Sequence, residues 1–177
     1  EKRLYEYIDN FFFEYCNYHE IEEKFILESR SKFISRYSLD LKDFSYTGLY
    51  PHKLKKEKFI LERIEYDIVL ILSFLTEPYR FKIASWLASQ KYNGDFLIIG
   101  CGPGVELGIL NEFCGMRKKN FIVHDTNPSS FVEKKFNIKV NQNYFSNSIY
   151  LGQKFDNVLL IELLEHLNKP LKFLKEI

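Results

Sequence analysis

Between residues 95 and 106 the chain reads D-F-L-I-I-G-C-G-P-G-V-E. Four apolar, strand-forming residues (Phe96, Leu97, Ile98 and Ile99) stop abruptly at Gly100, Gly102 and Gly104, which occupy alternate positions. A helix-like pattern follows. Strand, glycine-rich turn and helix in that order form the ground plan of a nucleotide-type cofactor site. Glycine turns tightly and lets backbone approach a ligand with no Cβ between them. The helix after the turn offers its unpaired N–H groups to the same ligand.

From residue 95 onward, strand-like and helix-like segments alternate. Strands are expected at 96–99, 121–124, 138–140 and 155–161, and helices at 104–113, 128–135 and 163–177. Such alternation predicts an α/β fold with a parallel sheet covered by helices. Residues 1–93 read as helical instead. In 3–18, Leu4, Ile8, Phe11, Phe12 and Tyr15 share one face. Ile21, Phe25, Ile26, Phe33, Ile34 and Tyr37 mark a second helix, and 43–51 reads as a break. A third helix is expected at 55–75. Thr76 is expected to cap a fourth over 79–90, with Pro78 in its first turn and Asn93-Gly94 closing it before the first strand. The chain thus divides into an N-terminal helical cap region, 1–75, and a sheet domain, 76–177.

Bulk properties narrow the function classes. A chain of 177 residues with 46% apolar residues can bury a domain-sized core. A formal net charge of +1 gives no reason to invoke nucleic acid or a membrane. The apolar run at 68–75 is too short to span a bilayer. Cys16, Cys101 and Cys114 are odd in number and lack metal-type spacing, which fits free thiols in a reducing cytoplasm. The chain opens on Glu1 and stops inside an expected helix, so a longer native chain is expected.

Two further features stand in order behind the glycine turn. Asp125 follows the second expected strand, where an acidic residue can accept both hydroxyls of a ribose. Residues 155–167, F-D-N-V-L-L-I-E-L-L-E-H-L, read as a strand running into an acidic helix start. Together, over 81–177, these features resemble the class I S-adenosylmethionine-dependent methyltransferases, in the branch that includes quinone-precursor enzymes. The resemblance implies a Rossmann-like methyltransferase sheet, here partial with about four strands. It implies that Gly100, Cys101, Gly102 and Gly104 meet the methionine end of S-adenosyl-L-methionine. Asp125 and Thr126 would hold the ribose, and Glu162 would line the pocket. The implied reaction is methyl transfer to a small-molecule acceptor, reached beneath the helical cap, where Tyr46, Tyr50 and Tyr79 are candidate pocket residues. G-C-G-P-G also departs from the nicotinamide pattern G-x-G-x-x-G, because Val105 stands at the third glycine.

One departure from the family concerns Ile98. The family carries an acidic residue there for the cofactor's amino group; Glu106 or another residue is expected to substitute, or else cofactor affinity to be weak. Ile98 also motivates the alternative of a catalytically inactive, methyltransferase-like binding or scaffold subunit. Glu162, Glu165 and His166 have the three- and four-residue spacing of one helix face, which makes them candidate metal ligands; without metal, Glu162 serves the cofactor pocket and His166 is a candidate base. His124 and Trp86 read as structural, and Lys53 to Lys58 as a solvated face. The resembled sheet has seven strands, so the fourth strand is expected to be covered by further chain or by a partner.

Overall fold

The computed structural model describes residues 1–47, 62–143, 153–167 and 169–177, with backbone alone at 36–47, 165 and 176. The helical half comes first: α1 (Lys2–Tyr18), α2 (Glu23–Thr47), α3 (Arg63–Thr76) and α4 (Pro78–Ser89). Then strands and helices alternate: β1 (Phe96–Ile99), α5 (Val105–Phe113), β2 (Phe121–His124), α6 (Ser130–Phe136), β3 (Val140–Asn141), β4 (Asn157–Leu159) and α7 (Pro170–Glu176). Short 3-10 turns at Lys118–Asn120 and Leu164–His166 complete the described elements.

The four strands form one parallel sheet in the order β3-β2-β1-β4. β1 is central and buried at all four positions, as its unbroken apolar run requires. It pairs Phe96 with Phe121 and Ile99 with His124 on one side, and Phe96 with Asn157 on the other. Asp156 fixes the start of β1: its carboxylate accepts the Asp95 N–H at 2.8 Å. That end of the sheet lies opposite the glycine turn. Among the described residues β4 has no strand beyond it, and Val158 is 42% exposed.

α1 buries Leu4, Ile8, Phe11, Phe12, Tyr15 and Cys16. Its aromatic face meets α6, where Phe11 and Tyr15 sit edge-on to Phe131 at 5.4 and 5.1 Å between ring centroids. The core therefore runs unbroken from α1 through α3 to the sheet. No helix among the described residues is long and apolar enough to cross a membrane.

Several expectations need correction. α2 continues to Thr47, through the first part of the break expected at 43–51, the remainder of which lies outside the described residues. α3 begins at Arg63 behind an extended Glu62, and residues 55–61 of that expected helix also lie outside. Thr76 ends α3, and Glu77 occupies the cap position before Pro78. α4 itself matches the helix expected at 79–90 to within a residue. β4 holds three residues rather than seven, and Pro170 splits the helix expected at 163–177 into a 3-10 turn and α7. Trp86 is 60% exposed, not core.

Candidate functional site

The strand order reverses between β1 and β4, because the chain steps outward from β1 to β3 and then returns to the other side of β1. In open parallel sheets ligands bind outside the carboxyl ends of the strands at such a switch point. A small cleft of about 10 Å³, room for little more than one water, lies there, lined by Ile98 of β1, Gly100 and Cys101 of the turn after it, Glu106 and Leu107 of α5, Leu159 of β4, and Ile161 beyond it.

The glycine turn frames this cleft. Gly100 has a φ of 78° and donates its N–H to the His124 carbonyl at 2.8 Å, extending the β1–β2 ladder by one bond. Gly104 has a φ of 87°, and a Cβ there would meet Val132 Cγ2 at 3.0 Å. Glycine is thus required twice over at Gly104: by backbone conformation and by the approach of α6. The Gly104 N–H closes the turn on the Cys101 carbonyl at 2.9 Å.

Asp125 ties the turn to the end of β2. Its Oδ2 accepts the Gly102 N–H at 2.9 Å and lies 3.8 Å from the Cys101 thiol, while its Oδ1 accepts the Asn127 N–H at 2.9 Å. Thr126, beside it, is exposed. Cys101 is buried, and burial pushes its thiol well above the ordinary range, so it is no thiolate nucleophile. His124 is 1% exposed, and burial lowers its pKa, which keeps it neutral.

Two arginines from the helical half reach these carboxylates, and the sequence reading missed both. Arg63, at the start of α3, places Nη1 3.6 Å from Asp125 Oδ1 and donates to the Asn127 carbonyl. Its Nε donates to Asp67 at 2.9 Å, and Asp67, fully buried, also accepts the Tyr15 hydroxyl at 2.9 Å. Burial holds the Asp67 carboxyl above its ordinary value, against the pull of Arg63 and Tyr15. Arg80, in the first turn of α4, is 9% exposed and ion-pairs with Glu162. Its guanidinium lies 5.5 Å above the Phe74 ring. A signal for Arg63 was present: Asp67 interrupts an apolar helix face, and a buried carboxylate needs a cation, with Arg63 four residues earlier.

Glu162 has a φ of 49°, the left-handed region that a side chain with a Cβ rarely adopts. It therefore precedes the 3-10 turn instead of opening a helix, and Glu162, Glu165 and His166 do not share one helical face. His166 is exposed on that turn, and the Glu165 side chain lies outside the described residues. Among the described residues no three His, Cys, Asp or Glu side chains gather as metal ligands would. Of the three tyrosines proposed for an acceptor pocket, Tyr79 is 50% exposed and receives the Arg80 Nε–H at 3.2 Å; Tyr50 and the Tyr46 side chain lie outside the described residues, as do His52 and the Lys53 to Lys58 cluster.

Glu106, in the first turn of α5, keeps partial access to solvent through the cleft. Protein crowds it closely enough that desolvation pushes its carboxyl up to about 7, a rise that Arg80 opposes and Glu162 reinforces. Glu106 and Ile98 line the same cleft.

No protein-family model, curated protein or solved structure matches the chain.

Proposed function

We propose that this chain is an S-adenosylmethionine-dependent methyltransferase of the class I, Rossmann-like type, cytoplasmic and acting on a small molecule. The observation that carries the reading is the cleft at the switch point, lined by Gly100 and Cys101 of the glycine turn and by Glu106, with Asp125 tied to the same turn through the Gly102 N–H. The residues present suit the cofactor. The turn offers backbone without intervening side chains at Gly100, Gly102 and Gly104. Asp125 holds the ribose with Thr126 beside it. Cys101 fills the turn from below, and Glu162 borders the methionine end. Glu106 takes the part Ile98 cannot, presenting a carboxylate to the cofactor's ammonium from the opposite wall of the same cleft.

The cofactor, when bound, supplies a methyl group on a sulfonium that is already a strong electrophile. What remains for the protein is alignment and the exclusion of water. Ile98, Leu107, Leu159 and Ile161 supply the apolar walls for that. His166 is the candidate base for a hydroxyl acceptor. The cleft is smaller than the several hundred Å³ usual for a ligand of this size.

Calorimetric titration with S-adenosylhomocysteine tests the reading. Micromolar binding by wild type, weakened at least tenfold in Asp125→Ala, is the expected result; absence of binding by the full-length protein would sink it. The second reading, an inactive binding or scaffold subunit, draws on Ile98 and on the arginine pairing of both carboxylates. Turnover on any acceptor eliminates it.

A further inference from the structure

A second concavity, of about 330 Å³, opens at the other end of the sheet, where β2 begins between the last turns of α5 and α6. Its volume falls within the roughly 300–1,000 Å³ of small-molecule sites, which that of the cleft at the glycine turn does not. The topology builds it. Phe121 pairs with Phe96 at the start of the parallel β1–β2 ladder, the end away from Gly100. α6 packs back beside that ladder and ends at Phe136 and the left-handed Asn137, both of which meet the cavity.

The lining divides by chemistry. Arg117, Lys118 and Lys135 are cationic, and no carboxylate is among the described residues that line the cavity. Phe121 and Phe136 are its apolar walls. Each is held by another ring: Phe96 lies 6.2 Å from Phe121, and Phe11 lies 6.4 Å from Phe136. Lys135 is already matched. Its ammonium pairs with Glu14 and lies 5.2 Å from the centre of the Phe11 ring. A cation in the last turn of α6 also suits that helix end. Arg117 and Lys118 are not matched. Both are exposed, and neither side chain has a hydrogen-bond or ion-pair partner among the described residues.

The charge count selects the ligand. Two like charges on one cavity repel, and an anion between them reverses the sign of that interaction. A phosphate monoester carries about −1.5 to −2 at pH 7, which matches two free cations where a carboxylate would match one. The planar fork of arginine fits phosphate oxygens in pairs. The two phenylalanines favour a flat apolar part on the same molecule.

We propose that this cavity binds a small phosphate monoester carrying a flat ring, with Arg117 and Lys118 on the phosphate and Phe121 and Phe136 against the ring. Asn111 and Asn137 add amide groups to the same lining. The site is independent of the cofactor reading: it lies at the opposite end of the sheet and shares no lining residue with the cleft.

Calorimetric titration with phenyl phosphate, 1-naphthyl phosphate and inorganic phosphate tests it, on wild type and on the double variant Arg117→Gln/Lys118→Gln. Both residues are exposed, so the variant should melt as wild type does. Wild type should bind at least one of the two esters saturably and roughly fivefold or more tighter than inorganic phosphate, the difference being the contribution of the ring. The double variant should lose roughly tenfold or more in affinity for that ester, having lost two charge-assisted partners. Equal binding of inorganic phosphate, or equal binding by the variant, would reduce Arg117 and Lys118 to solvated surface cations and overturn the proposal. Absence of saturable binding by both esters would overturn it as well. All of these outcomes leave the S-adenosylhomocysteine titration of the first site untouched.

Discussion

Glu106 stands under two opposing demands. Desolvation raises its carboxyl from an ordinary 4.5 to about 7. The folded state therefore holds this proton more tightly than the unfolded chain does. Its contribution to stability is fully present below about pH 4.5 and is lost as pH rises toward 7. Partial solvent access reduces the effect to about 1–3 kcal/mol. Glu106→Gln should accordingly stabilise the protein more at pH 8 than at pH 5, which urea melts at the two pH values would measure. A gain that does not change with pH would contradict the burial of that carboxyl. A bound ammonium reverses the demand by favouring the ionised form, so affinity for S-adenosylhomocysteine in wild type should rise between pH 6 and pH 8, and should not do so in Glu106→Gln. How far such residues can be read from sequence depends on what surrounds them. Asp125 stands in a recognisable register behind the glycine turn. Arg80 lies on a helix with nothing local to separate it from a solvated cation, and Asp67 flags Arg63 only as a helix ion pair; the folded chain brings the two arginines to Glu162 and Asp125.

The elements pack through one unusually close contact. α1 crosses α5 at Gly108, where an added Cβ would fall 2.2 Å from the Tyr7 hydroxyl oxygen and 3.3 Å from Phe11. Tyr7 cannot easily give way, since its ring stands edge-on to Phe113 at 5.5 Å. Gly108→Ala gains about 1 kcal/mol of helix propensity, but overpacking of about 1–3 kcal/mol opposes it. A net loss is expected in thermal or chemical melts. Removing the hydroxyl in Tyr7→Phe should recover part of that loss in the double variant; equal losses with and without the hydroxyl would place the clash elsewhere. At this scale the strands were legible where their limits are local. β1 and β2 end where expected, at a glycine and at Asp125. β4 is shorter than its apolar run because pairing needs a partner. In this register Ile161 falls opposite Gly100, where β1 has ended. Proline set two boundaries that a reading by hydrophobic period misplaced. Pro78 at the first helical position moves the cap to Glu77, and Pro170 cannot donate an N–H within a continuous helix. Asp43, Ser45 and Thr47 were read as a turn, but a helix tolerates such residues, and glycine and proline first appear after Thr47.

Across the whole molecule, the helical half and the sheet share one core. The core passes from α1 and α3 into β1 and α5 without a gap. A buried polar chain follows the same route, from Tyr15 on α1 to Asp67 and Arg63 on α3, and on to Asp125 and the Gly102 N–H. A ligand at Asp125 therefore touches the last link of a chain that begins on the first helix. Breaking a buried charge pair by removing one partner costs about 3–5 kcal/mol, because the other charge is left unpaired. Asp67→Ala strands Arg63 in this way. If residues 1–75 and 76–177 unfold together, native-state hydrogen exchange should show the most protected amides of α3 and of β1 losing the same free energy, on the order of 3 kcal/mol. If the two halves were separate cooperative units, α3 would lose protection and β1 would keep it. The shared core favours the first outcome, because no apolar surface divides the halves and an opening of α3 would expose β1 as well. Cofactor binding at the glycine turn would then be felt at Tyr15, and a bound adenosyl ligand should slow exchange in α1 as well as at the turn.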